Sequence, residues 1–453
     1  MAQTASSSTP PPTQLRADEP GLPECRRADQ VDLEAGALLR ILSIPARGTL
    51  SMPEIRRQRR VWDLIARAGG RADPVAEVED FYIPTESGRA EARVYRPTAR
   101  RAEPLPAFVW FHGGAFMIGG LTTADTICRH LARSSGAAVV SVRYRLAPEN
   151  NLYAGRADCM AALRWLTRHG DRLGIDASRL AVGGDSAGGN LAAAVAQRCT
   201  QEEAIALRLQ VLVYPATNLR DEFASKQENA EGYLLTAQVV DSVRDLLQEL
   251  NTDVTDPWVS PALNPRLAGL PPALVLTAGF DPIRDDGLSY AQGLRRAGVP
   301  VQLLHYPGQF HGFVNFDGLL RMARDALDRI GEALRLALAP EPQDAPANRT
   351  LEISAASGAP GPHSQPTLTP ASFSPRLGAK WVSGSLMLGE RLESARAQWL
   401  RDALRRAPWL SMVAGAWAMA PEAMPWLNPV TSWRAQLAQR HAPICIRESF
   451  HRS

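Results

Sequence analysis

A chain of 453 residues exceeds one ordinary domain, and its 45% hydrophobic content is typical of a soluble globular protein with a sizeable core. The net charge is only +3, and residues 379–453 carry ten Lys and Arg against five Asp and Glu, which gives no reason to expect a nucleic acid partner. The five cysteines form no CxxC pair and no run of about 20 apolar residues exists, so we expect a cytoplasmic protein without disulfides, a zinc site or a membrane span.

The N-terminal part of the chain changes its pattern twice. Residues 1–30 begin with a stretch rich in Ser, Thr and Pro, and they predict a disordered leader. Residues 31–70 carry apolar side chains at helical spacing. Strands are then predicted at Val78–Ile83 and Ala90–Tyr95, with Ser87-Gly88 as the turn between them.

From residue 107 onward, short apolar runs alternate with helical stretches. The runs predicted as strands are Ala107–Phe111, Ala137–Val142, Leu180–Val182, Leu209–Tyr214, Ala273–Ala278 and Val301–Tyr306. The helices predicted between them are Thr123–Ser134, Arg156–His169, Gly189–Cys199 and Asp285–Ala297. The apolar runs do not alternate with polar residues, as expected for strands buried on both faces. An α/β fold with a mostly parallel central sheet and helices on both faces is therefore predicted.

The segment Gly184-Asp185-Ser186-Ala187-Gly188 fits the pattern Gly-x-Ser-x-Gly. The pattern alone is weak, and a glycine-rich turn with a surface serine is the alternative. Here the segment joins the predicted strand Leu180–Val182 to an alanine-rich helix, and such a sharp turn needs small residues on both sides of its central residue. The hydroxyl of Ser186 would then stand at the carboxyl end of the sheet, which predicts a nucleophile.

A second glycine-containing segment, His112-Gly113-Gly114-Ala115-Phe116, follows the predicted strand that ends at Phe111. Glycines at this place let the backbone approach a substrate carbonyl and direct N–H groups at it. We expect the N–H groups of Gly113 and Gly114, together with that of Ala187, to hold the oxyanion of an acyl-transfer reaction.

A serine hydroxyl needs a base within hydrogen-bonding reach, and in this fold the chain order is Ser, then Asp or Glu, then His. Among the histidines after Ser186, His305 lies inside a predicted strand, and three others lie far towards the C-terminus. His311 follows a predicted strand as a loop residue, and it is the predicted base.

The acid that orients this base is predicted to be Asp281, which follows the strand Ala273–Ala278. Asp285 and Asp286 are its rivals. They fall on the following helix, where acidic residues commonly interact with the helix N-terminus. The predicted catalytic triad is therefore Ser186, His311 and Asp281.

These stretches together resemble the hormone-sensitive-lipase-like family of bacterial esterases. The matching stretches are His112-Gly113-Gly114, Tyr144–Glu149, the GDSAGG run from Gly184, Asn229–Tyr233, Asp281–Asp285 and His311-Gly312-Phe313. The resemblance covers roughly residues 80–339 and implies an α/β-hydrolase fold, with a cap from about residues 31–72 and part of 218–250. Two departures are Ala115, where the family usually has glycine, and the segment after Glu149, which lacks the family's proline.

The chemistry predicted from these residues is hydrolysis of carboxylic esters through an acyl-enzyme on Ser186, with short- to medium-chain acyl groups expected from the resemblance. No cofactor or metal is implied, and the expected partner is a small ester. An amidase or aryl formamidase would use the same triad. A receptor-like binding protein is the other alternative, although the plant gibberellin receptors that resemble this family lack the catalytic histidine.

The C-terminal part has a different composition. The catalytic domain is predicted to span residues 31–339, and the proline-rich residues 340–378 are predicted to be a linker without helix or sheet. Residues 379–453 hold six of the ten tryptophans and the basic surplus. We expect a tail of unknown role there, with membrane-surface or protein binding and homo-oligomer formation as possibilities.

Overall fold

The computed structural model describes residues 25–42, 51–98, 103–203, 205–341, 348–355 and 444–450. The strands are β1 (Glu77–Thr85), β2 (Gly88–Arg96), β3 (Leu105–Phe111), β4 (Ala138–Arg143), β5 (Ile175–Asp185), β6 (Leu209–Val213), β7 (Ala273–Phe280), β8 (Val301–Phe310), β9 (Arg349–Ala355) and β10 (Ile444–Phe450). The helices are α1 (Leu33–Leu42), α2 (Met52–Gly69), α3 (Leu121–Ser135), α4 (Leu152–His169), α5 (Ala187–Arg198), α6 (Ala224–Glu228), α7 (Ala237–Glu249), α8 (Arg284–Arg296) and α9 (Arg321–Ala337).

The described strands form one sheet in the order β1-β2-β4-β3-β5-β6-β7-β8-β9-β10. Neighbours from β4 to β9 run parallel, whereas β1, β2 and β4 pair antiparallel at one edge. The predicted α/β class with a mostly parallel sheet is therefore confirmed. All parallel neighbours end at the same edge of the sheet, so the loops after β3, β5, β7 and β8 meet there.

The sheet is buried on both faces because neighbouring residues of one strand point to opposite sides. In β3, Val109 packs into the cluster that includes Leu163 of α4 and Leu191 of α5. The next residue, Trp110, packs into the opposite cluster with Leu327 of α9. This arrangement explains why the strands read as continuous apolar runs.

The prediction that residues 340–378 form a linker without a strand is wrong in part. Residues 340–378 were expected to contain no strand, but Arg349–Ala355 form β9, which pairs parallel with β8. Leu351 and Ile353 are buried in the core. The run Thr-Leu-Glu-Ile-Ser favours a strand, and averaging its composition with the surrounding prolines hid this preference. The rest of the linker, apart from residues 340, 341 and 348, lies outside the described residues.

The expectations for the two chain termini also need correction in part. Residues 25–30 were assigned to a disordered leader, but Ala28 N donates to Pro307 O at 2.9 Å and Cys25 is buried. The pattern of side chains in the sequence does not indicate the backbone hydrogen bond between Ala28 and Pro307. In the predicted tail, Ile444–Phe450 forms β10, antiparallel to β9. Residues 1–24 and 379–443 lie outside the described residues, and among the described helices none is both long and apolar enough to cross a bilayer.

Candidate active site

Ser186 lies in a strained turn between β5 and α5. Its backbone has φ 55° and ψ −118°, a conformation that residues other than glycine rarely adopt. A Cβ atom on Gly184 or Gly188 would collide with the carbonyl oxygen of Phe111. Glycine is required at both positions, because the turn packs directly against the end of β3. Strand β5 and helix α5 on either side maintain this strained conformation. The turn thereby exposes the Ser186 hydroxyl at the carboxyl edge of the sheet.

The structure brings the three predicted triad residues together. His311 Nε2 lies 2.9 Å from Ser186 Oγ, and His311 Nδ1 lies 2.8 Å from Asp281 Oδ2. The carboxylate can only accept, so Nδ1 carries the proton and Nε2 is left to accept the serine proton. His311 follows β8 and Asp281 follows β7, so two neighbouring strand ends position the pair.

The acid is fixed on all sides. Asp281 is fully buried, and its Oδ1 accepts a hydrogen bond of 2.8 Å from Ile283 N. The side-chain amide of Asn229 donates to the Asp281 carbonyl at 3.1 Å. The rival acids bind elsewhere: Asp285 accepts from Ser225 N at 2.9 Å, and Asp286 accepts from Asn218 N at 3.1 Å. Of the three candidates, Asp281 is the residue that contacts His311.

The predicted oxyanion donors are not equivalent in the structure. Gly113 N donates to Asp185 Oδ1 at 2.8 Å, so this N–H already has an acceptor. Ala187 is the first residue of α5, and its helix offers its N–H no carbonyl. Gly114 has φ +120° and Ala115 has φ 53°, so the loop turns sharply after Gly113. The left-handed conformation of Ala115 also explains why glycine suits this position.

Asp185 connects three loops of the site. Its carboxylate accepts from Gly113 N in the loop after β3, and from the Asn315 amide at 3.3 Å in the segment after His311. Asn315 also donates to Gly312 O. Burial raises the pKa of the Asp185 carboxyl, and the Gly113 hydrogen bond opposes this rise. The carboxyl therefore fixes the positions of three segments relative to one another: residues 112–116, which we call the oxyanion loop after their predicted role, the turn at Ser186, and the loop that contains His311.

Aromatic rings support the two histidines of the site. The Tyr214 ring packs on His311 with ring centroids 4.8 Å apart. Tyr144 stacks on His112 at 4.4 Å, and its hydroxyl donates to the His112 carbonyl at 2.7 Å. Burial lowers the pKa of His112 to about 4, so this ring stays neutral near neutral pH. His112 contacts the Gly113 carbonyl and supports the loop after β3, whereas the histidine that contacts Ser186 Oγ is His311.

A large cavity and a small one, both lined by described residues, meet at Ser186. The large cavity holds about 280 Å³, and His311 is part of its wall. Its other walls include Ile55, Trp62, Ile65, Gly114, Leu234 and Val239. The small cavity holds about 80 Å³, and Ala187 is part of its wall. Its other walls include Phe116, Leu219, Val243, Leu247, Ile283 and Asp286. Helices α2, α6 and α7 roof these cavities, and we call these three helices the cap.

Known proteins share this architecture. A family model described as the α/β-hydrolase fold matches residues 108–315. An ethyl acetate hydrolase of Pseudomonas putida is 38% identical over 291 residues, which cover 63% of this chain and 90% of that protein. Carboxylesterase NlhH of Mycobacterium tuberculosis is 42% identical over 250 residues, covering 54% of this chain and 78% of that protein. The solved structure of a hyperthermophilic esterase from the archaeon Pyrobaculum calidifontis has a TM-score of 0.63 and 38% identity, covering 68% of this chain and 98% of that one.

The chain belongs to the hormone-sensitive-lipase-like esterases of the α/β-hydrolase fold. The family predicted from the motifs is therefore confirmed, and so is the enzyme class, a carboxylesterase of the serine hydrolase type.

For this esterase, sequence reasoning missed the residues that support the site. Asn315 and Tyr214 were not singled out, and the sequence does not decide whether Asp185 braces the turn or faces solvent. The structure places Asp185 in the interior, 5% exposed. Two signals were available: Asn315 lies four residues after His311, and Tyr214 lies at the end of the predicted strand Leu209–Tyr214. Neither signal indicates that its residue lies close to His311 in the folded protein.

Proposed function

We propose that this esterase hydrolyses carboxylic esters through an acyl-enzyme on Ser186. The observation that carries the proposal is the continuous hydrogen-bond chain from Ser186 Oγ through His311 to the buried Asp281. His311 takes the serine proton while Oγ attacks the ester carbonyl, and it then gives that proton to the departing alcohol. Water activated by the same Nε2 hydrolyses the acyl-enzyme. Asp281 holds the tautomer and stabilises the imidazolium.

The oxyanion is held by backbone N–H groups. We assign this role to Gly114 and Ala187, because Gly113 N–H is bound to Asp185. In this assignment Gly113 acts through its fixed peptide, which sets the direction of the Gly114 N–H. Of the three N–H groups predicted from the sequence, two are thus proposed to bind the oxyanion, and that of Gly113 is proposed to position the loop.

The position of His311 assigns the two cavities to the two halves of the ester. The leaving oxygen must lie within hydrogen-bonding reach of Nε2, and His311 lines the large cavity. The alcohol part therefore occupies the large cavity. The acyl part occupies the small cavity, on the side of Ala187. The volumes of about 280 and 80 Å³ favour a short acyl group joined to a larger alcohol.

Similarity supports the short acyl group. A relative is named an ethyl acetate hydrolase, and acetate is a two-carbon acyl group. Within the short- to medium-chain range that the family resemblance implies, the small cavity therefore favours the short end. A cytoplasmic location, oligomer formation, and membrane or protein binding through residues 379–453 stay predictions.

A panel of substrates tests the proposal. The account predicts hydrolysis of p-nitrophenyl acetate and butyrate, with kcat/KM falling at least about tenfold for the decanoate, since a long acyl chain exceeds the small cavity. p-Nitroanilides and an aryl formamide of matched acyl length serve as comparison. Faster cleavage of the anilides or the formamide would replace the ester assignment by an amidase or formamidase. Saturable ester binding without turnover would indicate a receptor-like protein.

A further inference from the structure

Asp286 is a buried carboxyl on the wall of the small cavity. The residue is 5% exposed, and it follows Asp285 in the first turn of α8. Its Oδ1 accepts one hydrogen bond of 3.1 Å from Asn218 N. For the other carboxyl oxygen, the described part of the chain provides no hydrogen-bond donor. The catalytic mechanism above does not use this group.

Among the described residues no cation forms an ion pair with this carboxyl. Arg244 lines the same cavity and its charge partly opposes the rise of the Asp286 pKa, but its guanidinium is bound to Glu222 at 2.8 Å. Asp281 and Asp285 add negative charge nearby, and burial together with these two acids raises the pKa of Asp286 well above its usual range. The second oxygen of Asp286 is not fully buried and faces the open space of the cavity. An unbranched alkyl group that filled the cavity would exclude solvent from this oxygen and leave it without a partner, which is costly.

A structural role alone accounts for part of the geometry. Acidic residues in the first turn of a helix interact favourably with its N-terminus. Asp285 already has this place, since its carboxylate binds Ser225 N and Arg284. A purely structural Asp286 would have no reason to lie on the cavity wall with a free oxygen next to the acyl site.

We propose that Asp286 binds a hydroxyl group on the acyl part of the substrate, so that this esterase prefers short hydroxyacyl esters to the corresponding unsubstituted esters. The inference rests on the proposed function, because that function assigns the small cavity to the acyl group. A hydroxyl can donate to the free oxygen whether or not the carboxyl carries a proton. The hydroxyl thereby replaces the hydrogen bond that the protein does not supply.

The experiment compares p-nitrophenyl butyrate with its 2-hydroxy and 3-hydroxy analogues in the full chain. The measured quantity is the ratio of kcat/KM for the better hydroxy ester to that for butyrate. Comparing this ratio between variants cancels the intrinsic reactivity of each ester. In Asp286→Leu we expect the ratio to fall about tenfold or more, the usual loss for a hydrogen bond to a buried polar group. Asp286→Asn keeps an acceptor for Asn218 N and should lose less.

Glu222→Gln is the matched control. Glu222 is also an acid on the wall of this cavity, but Lys226 and Arg244 already bind its carboxylate at 2.7 and 2.8 Å. Its substitution should leave the ratio within about twofold, because its carboxylate is already ion-paired with two cations, both at Oε1, whereas Asp286 forms no ion pair among the described residues.

The outcomes separate the two proposals. An equal loss for both esters in Asp286→Leu, with the ratio unchanged, would show a structural role only and overturn the inference. A wild-type preference for butyrate that persists in Asp286→Asn would overturn it as well, even if Asp286→Leu fails to fold. If the wild-type protein hydrolyses neither ester, the proposed function itself fails.

Discussion

The floor of the active site and the cap above it hold their residues in different ways. On the floor, one backbone N–H and four side chains from the ends of β3, β5, β7 and β8 are joined by hydrogen bonds of 2.8 to 2.9 Å, namely those of Gly113, Asp185, Ser186, Asp281 and His311. The cap contributes mainly apolar side chains from α2 and α7 to the cavity walls. Hydrogen bonds fix direction and apolar walls fix volume. The floor should therefore determine the rate for every ester, and the cap should determine which ester reacts best.

The largest effect is expected on the floor, at Ser186. Ser186→Ala removes the nucleophile, and we expect kcat for all p-nitrophenyl esters to fall about a million-fold, as in comparable triads. The order of the esters should not matter, because no covalent intermediate can form on any of them. Circular dichroism of the variant gives the control for folding. A folded Ser186→Ala protein with near wild-type turnover would refute the nucleophile assignment.

A smaller floor effect is expected at Asp185, which acts through Gly113. Asp185→Ala leaves Gly113 N without its acceptor, and we expect kcat to fall about 100-fold for every ester, at the low end for loss of an oxyanion donor. Asp185→Asn keeps an acceptor oxygen and should recover most of the activity. Steady-state kinetics that show a change in KM alone, with kcat unchanged, would mean that Asp185 does not align the oxyanion loop.

The cap should respond differently, and α7 offers a matched pair of positions. Val243 lines the small cavity, and Val239 lines the large one about one helical turn away. Val243→Phe should lower kcat/KM for p-nitrophenyl butyrate about tenfold more than for the acetate, since it fills acyl space. Val239→Phe should leave this acyl ratio unchanged and act instead on esters of bulky alcohols. An identical acyl profile for both variants would contradict the assignment of the cavities.

The edge of the sheet should influence stability and neither rate nor preference. A chain ending at Ala339 loses β9 and the buried Leu351 and Ile353, whereas a chain ending at Ala355 keeps them. Burial of each such side chain is worth about 1.5–3 kcal/mol. Urea unfolding should therefore show the shorter chain to be less stable by about 3–6 kcal/mol, with similar kcat/KM while folded. Equal stability of the two chains would mean that β9 adds nothing to the sheet.

Much of the floor could be predicted from sequence, because its residues occur in local motifs whose backbone demands are specific. The Gly-x-Ser-x-Gly turn needs glycine beside Phe111, and chain order selects His311 after Ser186. The parallel sheet was predictable from the apolar runs for the same reason. Each of these features is set within a few residues of the chain.

The remaining features depend on contacts between distant segments. The hydrogen bond from Gly113 to Asp185 joins residues 72 positions apart, and nothing in either motif indicates it. The strand β9 was missed because prolines around it dominated the composition of residues 340–378. The volumes of the two cavities depend on how α2 and α7 pack over Ser186, which local periodicity does not specify.

The central claim is that Ser186 forms a covalent intermediate with the substrate, and labelling with diethyl p-nitrophenyl phosphate tests it most directly. This reagent traps an activated serine as a stable phosphoryl ester. Peptide mass spectrometry should place the diethylphosphoryl group on the peptide that contains Ser186, and loss of esterase activity should follow the labelled fraction. The Ser186→Ala chain should remain unlabelled. Labelling at another residue, or full activity in a chain labelled at Ser186, would contradict the account.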